Sequence, residues 1–205
     1  MDMINMIDFE KIKAIYKLGR DIDLKDTQEL IRTSRKRTYQ PLEYIIQEGS
    51  LTKDIFYIQK GLVRIFMINN KGEEITTNLR CEHEIIASPY VILFDEPCRF
   101  YFQAIEPTTL FSLNYGLIQE IIEKNPVLEK NRKFFLHKLL KQSMQRVESF
   151  VLLTPEKRYI KYVEENPEII NRVPNKYIAN VLGITPVSLS RIRKRIVEKN
   201  RNQKS

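Results

Sequence analysis

The sequence predicts an α+β chain: an N-terminal antiparallel β-roll, jelly-roll-like, with flanking helices, then one long helix, then a C-terminal helix-turn-helix without an obvious wing. Three observations predict it. Between about Tyr39 and Leu113, short runs rich in β-branched and aromatic residues end repeatedly at glycine, the spacing of a small antiparallel roll or barrel. After Tyr115 helical periodicity takes over, broken at Pro126. The last quarter restarts with the proline-marked segment T-P-E-K-R-Y-I-K-Y-V-E-E-N-P and ends in two short amphipathic helices around Gly183.

Taken in order, Phe9, Ile12, Ile15 and Tyr16 fall on one face and predict a helix over residues 8–18, with a second over 25–33. The run R-T-S-R-K-R-T near Arg32 reads as solvated charged surface. Strands follow in Y-I-I-Q-E-G, D-I-F-Y-I-Q-K-G and L-V-R-I-F-M-I-N-N-K-G, where N-N-K-G suits a hairpin turn. Later strands lie in E-I-T-T-N-L-R, R-F-Y-F-Q-A-I and T-L-F-S-L.

Residues 117–124 form one helix, and Pro126 suits the first turn of the next, which runs to about Val151. On that helix Phe135, Leu136, Leu139, Leu140, Met144, Val147, Phe150 and Val151 spread over about half the cylinder, wider than the ~100° stripe that one packing partner needs. Two partners are implied, the chain's own roll and a second copy. A helix sunk deeper into its own body is the alternative, and Phe134, on the opposite side, fits neither. Leu136, Leu140, Met144 and Val147 are the candidate dimer residues. Thr154 then caps a new helix with Pro155 in its first turn, Pro167 stops it, and the boundary falls near Leu152.

Composition narrows the function. A hydrophobic content of 42% over 205 residues supports a core. No run reaches the ~18 apolar residues of a membrane helix, and the start M-D-M-I-N-M-I-D-F-E lacks the pattern of a signal peptide, so a cytoplasmic chain without membrane contact is expected. Cys81 and Cys98 lack metal-ligand spacing, and His83 and His137 are the only histidines; no metal and no cofactor is expected. No P-loop, dinucleotide fingerprint or nucleophile elbow is present, and Glu82 and Glu84 beside His83 read as exposed charges, so the chain is not expected to be an enzyme.

Charge points elsewhere. The last 35 residues hold nine of the 34 Lys/Arg and one of the 26 Asp/Glu, which places the whole formal charge of +8 there and leaves the rest neutral. A solvated basic tail has no reason to show caps or periodicity, and this segment shows both. Tyr177, Ile178, Val181 and Leu182 make the buried face of a first helix, and Ala179 lets a second approach. Gly183 ends the first helix in the left-handed conformation; Thr185 caps the second and Pro186 starts it, leaving the short turn a helix-turn-helix needs. In the second helix Leu189, Ile192 and Ile196 face inward, while Val187, Ser188, Ser190, Arg191, Lys194 and Arg195 face outward, a capped basic helix that a DNA major groove admits.

With these residues in view, the chain resembles the Crp/Fnr-type bacterial transcription regulators. Ile178, Ala179, Leu182, Gly183, Ile184, Leu189 and Ile192 fit the family's helix-turn-helix, and E-G at Gly49, F-Y-I-Q-K-G at Gly61 and the hairpin at Gly72 resemble its cyclic-nucleotide-binding-type roll. The resemblance implies a sensor roll over residues 1–125, a dimerisation helix over 126–151 and a DNA-binding unit over 152–205. It implies a homodimer on a near-palindromic double-stranded site, with RNA polymerase as a further partner. Two departures stand out. Where relatives that bind cyclic AMP carry Gly-Glu-Leu, this chain has Ala87, Ser88 and Pro89, and Arg99 is followed by Phe100. Cyclic AMP is therefore not the expected effector; Ser88, Tyr90, Arg99 and Tyr101 mark the pocket region, with Tyr90, Phe100, Tyr101 and Phe102 either filling it or lining an apolar site for a small molecule of unassigned identity. Second, only V-E-K-N-R-N-Q-K-S follows the recognition helix, so phosphate contacts made elsewhere by a wing fall to Lys199, Arg201 and Lys204 or are absent. A ligand-binding regulatory module that does not touch DNA is the alternative function.

Overall fold

Polar turns and glycines divide residues 35–114 into eight short antiparallel strands. In the computed structural model, which describes residues 24–124 and 126–202, these are β1 (Arg35–Tyr39), β2 (Tyr44–Ile46), β3 (Asp54–Lys60), β4 (Val63–Ile68), β5 (Glu74–Arg80), β6 (Ile85–Ile86), β7 (Tyr101–Ala104) and β8 (Thr108–Asn114). They form two four-stranded sheets, ordered β1-β8-β3-β6 and β2-β7-β4-β5. Both sheets are open, so the fold is a roll and not a closed barrel. The expected helix over 8–18 lies outside the described residues.

The roll is held by alternation. Phe56 and Ile58 of β3, Val63 of β4, Phe102 of β7 and Leu110 of β8 turn to the inside and pack with Ile46, Ile86, Val91 and Cys98. The β4–β5 turn is built by Asn69, whose side-chain oxygen accepts from the backbone N–H groups of Lys71 and Glu73. Gly61, at φ +104°, lies so close to Thr108 that a side chain there would overlap its backbone. Helix α1 (Leu24–Thr33) and helix α3 (Tyr115–Lys124) cover the outside of the first sheet through Leu30, Leu113, Ile118 and Ile121. Short helix α2 (Pro89–Phe94) follows β6.

Two elements differ from expectation. The run R-T-S-R-K-R-T, read as solvated surface, is exposed at residues 35–38 as expected, but it also enters strand β1, because β8 supplies hydrogen-bond partners along its whole length. The residues after Ile86 form helix α2, started by Pro89 at its first position.

Helix α4 (Pro126–Leu152) has 27 residues and so spans about 40 Å. Three helices follow: α5 (Pro155–Glu165), α6 (Asn175–Leu182) and α7 (Pro186–Asn202). The last is longer than expected; it continues through Val197–Asn202, so Lys199 and Arg201 stand on α7 and not on a tail. Lys204 lies outside the described residues. The core of this C-terminal unit, Tyr159, Ile169, Val173, Ile178, Ala179, Val181, Leu182, Leu189 and Ile192, is continuous with Leu62 and Leu79 of the roll.

Candidate nucleic-acid interface

The helix-turn-helix is assembled by local chemistry. Gly183 has φ +65° and closes α6 by donating to the Ala179 and Asn180 carbonyls. A Cβ at this position would stand 2.6 Å from the Phe150 ring, so glycine also admits the end of α4. Thr185 Oγ1 accepts from the Ser188 N–H and caps α7. Leu189 and Ile192 are buried against α6, and Ile196 is half-buried.

That orientation leaves Val187, Ser190, Arg191, Lys194, Arg195 and Lys199 exposed and Ser188 half-buried. The cations are not equivalent. Arg191 has no hydrogen-bond or ion-pair partner among the described residues, and Lys194 only approaches Glu198 at 4.0 Å. Arg195 and Lys199 both end on Glu156 in the first turn of α5, at 2.9 and 2.7 Å. These two cations hold the Glu156 carboxyl below its ordinary range, Lys199 first. Arg193 turns inward and donates to Tyr159 Oη and Asn175 Oδ1.

Behind this face lies a seam between the C-terminal helices and the roll. Arg172 donates both terminal nitrogens to Glu82 at 2.8 Å and also engages Glu106. The Arg172 fork, together with the Gly61 N–H, holds Glu82 down at about 2, although partial burial opposes this. Arg146 of α4 donates to the carbonyls of Thr77 in β5 and Val181 in α6, and burial lowers its proton affinity. Arg158 bonds the carbonyls of Ser149, Phe150 and Leu153 at the end of α4 and of Leu182 at the end of α6. Arg64 of β4 is 1% exposed, stacked between Phe66 and Tyr177, and donates to Glu74 at 2.5 Å. Its Nε and Nη1 have no partner among the described residues.

The arginines of this seam were not singled out from the sequence, and Glu82 and Glu84, read there as exposed charges, are half-buried and paired with Arg172 and Arg80. The partners of Arg172 lie 66 and 90 positions away, beyond any local pattern.

Of the four pocket candidates, Arg99 and Tyr90 are brought into contact. Ser88 is fully buried with no partner for its hydroxyl among the described residues. Arg99 lies over the Tyr90 ring and pairs with Glu96 at 3.0 Å. Tyr101 stacks on Phe66, on the sheet face opposite Phe102. Phe102 is in the interior and Phe100 packs against it from the side, so the aromatic run fills the roll with two of its members and turns Tyr101 away.

Elsewhere, Cys81, Glu82 and Glu168 offer ligand atoms within 4.8 Å of one another. Glu82 is already committed to Arg172, and burial, reinforced by Glu84, pushes the Cys81 thiol up to about 11, so the set is a poor metal donor. On α4, Leu140, Met144, Val147 and Val151 are 59%, 56%, 63% and 75% exposed, while Leu136 is half-buried. No helix among the described residues is long and apolar enough to cross a membrane.

Comparison with known proteins agrees with this layout. Residues 36–125 match the model of the cyclic nucleotide-binding domain. The anaerobic regulatory protein of Bacillus subtilis is 25% identical over 111 residues; the match covers 53% of this chain and about half, 46%, of that relative. Among solved structures, FixK2 of Bradyrhizobium japonicum superposes with TM-score 0.71 at 14% identity, covering 82% of this chain and 86% of that one. The c-di-GMP responsive global regulator CLP of Xanthomonas campestris gives 0.67 at 13% identity, covering 87% and 93%.

Proposed function

We propose that this chain is a DNA-binding transcription regulator of the Crp/Fnr type, a reading supported by the cyclic nucleotide-binding domain match over residues 36–125 and by the shared fold of FixK2 and CLP. It works as a homodimer through α4 and reads a near-palindromic operator with α7 in the major groove, in the cytoplasm where the DNA lies, with RNA polymerase as its protein partner. The observation that carries this reading is the guanidinium of Arg191, without a partner among the described residues, one turn into a capped helix whose Leu189 and Ile192 are buried in packing. An arginine there can make the paired hydrogen bonds to a guanine edge. Ser190 and Val187 stand beside it, and Lys194 is placed for phosphate.

Titration of selected operator and random duplexes tests the reading. Arg191→Ala is expected to lose about 1–3 kcal/mol per half-site on operator and little on random DNA. An unchanged base preference would show that the docking is wrong.

The roll is assigned a role that does not depend on cyclic AMP. A cyclic phosphate leaving water needs a cation and an acceptor for its ribose. The interior holds Phe56, Val63, Phe102 and Leu110 instead, and Arg99 is committed to Glu96 and Tyr90 outside it. Calorimetry with cyclic AMP and cyclic GMP is expected to give no micromolar binding; such binding with a tenfold shift in operator affinity overturns this point. The match of residues 36–125 alone also suits a ligand-binding module that ignores DNA, and absence of any DNA binding would favour it.

A further inference from the structure

We propose that Glu156 is an internal competitor for DNA phosphate: its carboxylate occupies Arg195 and Lys199 on the free protein and so suppresses affinity that carries no sequence information. The proposal rests on the DNA-binding reading above.

Arg191, Arg195 and Lys199 follow one another at four-residue spacing, so they lie along one slowly turning ridge of α7. The first has no partner among the described residues, and the other two converge on Glu156. That carboxylate is well held. It sits in the first turn of α5, behind the Thr154 cap and beside Pro155, where the helix dipole favours an anion, and its side chain is only 19% exposed. The two cations are 57% and 61% exposed, so their outer sides remain open to a second acceptor.

A phosphate oxygen offers a guanidinium or an ammonium the same acceptor chemistry as a carboxylate oxygen. Exposed ion pairs of this kind are weak enough to exchange partners. Each cation that neutralises a phosphate steepens the salt dependence of binding by about 0.9 in log–log slope. A cation that must first leave Glu156 returns little of that gain, because one anion replaces another. Random DNA is therefore bound as though α7 carried fewer charges than it has. Contacts made by Arg191 to base edges are unaffected, so a larger share of the total affinity carries sequence information.

The test uses the full chain, random and operator duplexes and a series of salt concentrations. Glu156→Gln keeps the shape of the side chain and removes its charge. It is expected to steepen the salt slope on random DNA by up to about 1.8, which amounts to roughly eightfold tighter binding at 0.1 M salt for one released cation and roughly sixtyfold for two, relative to 1 M salt. Operator binding is expected to gain no more than random binding, so that discrimination does not improve. Lys199→Ala supplies the second arm: its effect on random DNA is expected to be under about twofold beside the native Glu156 and about eightfold in the Glu156→Gln background. Wild-type binding with an unchanged slope in Glu156→Gln, or an equal effect of Lys199→Ala in both backgrounds, overturns the proposal and leaves the DNA-binding reading intact. If wild type and Glu156→Gln both ignore DNA at low salt, both readings fall together. A thermal melt of each variant, expected within a few degrees of wild type, separates these outcomes from loss of fold.

Discussion

Arg172 illustrates how much of this protein is decided by single side chains that no local pattern announces. It lies between α5 and α6, and its guanidinium clamps Glu82 and Glu106 of the roll. Glu82 has its folded pKa lowered from 4.5 to about 2, chiefly by that hydrogen-bonded pairing. A carboxylate depressed in the folded state contributes stability that is complete above its unfolded pKa and is lost as pH falls through the folded one. Denaturant unfolding of wild type and Glu82→Gln should therefore differ most near neutral pH, converge below about pH 4.5 and meet near pH 2. A constant difference down to pH 2 would contradict the assignment. The outward position of Arg191 was legible because it follows a capped, apolar-striped helix start. Arg172, Arg146 and Glu156 were not, since each reads locally as an ordinary surface charge and gains its role from partners 35 to 90 positions away.

Helices α6 and α7 were legible for a chemical reason: Thr185, Pro186 and Gly183 are residues whose backbone preferences mark helix ends by themselves. Strands β3, β4, β5 and β8 were legible because one or both faces are buried, which forces apolar residues into the pattern. Strand β1 was hidden for the converse reason, as it buries almost nothing and exists through pairing with β8. The end of α7 was set too early because Val197–Asn202 has no apolar stripe and is polar on every side but one. Helix α4 belongs between these cases. Arg146 and Phe150 tie its C-terminal half to the roll and to the turn at Gly183, while Leu140, Met144 and Val147 keep more than half of their surface in water. A second copy of the chain is the occupant that the DNA-binding reading requires. Glutamates at positions 140 and 147 would bring like charges together at a symmetric interface, so the double substitution should convert a dimer to a monomer. Light scattering checks this, and a monomeric wild type at micromolar concentration would remove α4 from that role.

At the scale of the whole molecule, the roll and the C-terminal helices meet through charge at Arg172 and Arg146, through Asn180 on the Thr76 N–H, and through the stacked Arg64. The apolar part of that meeting is Leu62 and Leu79, two roll residues that are 0% and 5% exposed because they complete the core around Ile178 and Leu189. A shared core couples the melting of both halves. Scanning calorimetry should therefore show one transition, and Leu79→Ala, which removes buried methyl groups at the junction, should lower it as a whole by about 2–5 kcal/mol of stability. Two resolved peaks, with only one shifted by the substitution, would show the halves to be independent. The same two leucines limit portability: residues 153–202 grafted onto a foreign scaffold would expose an open side of their core, and the graft would have to bring Leu62 and the β4–β5 hairpin with it to close that side.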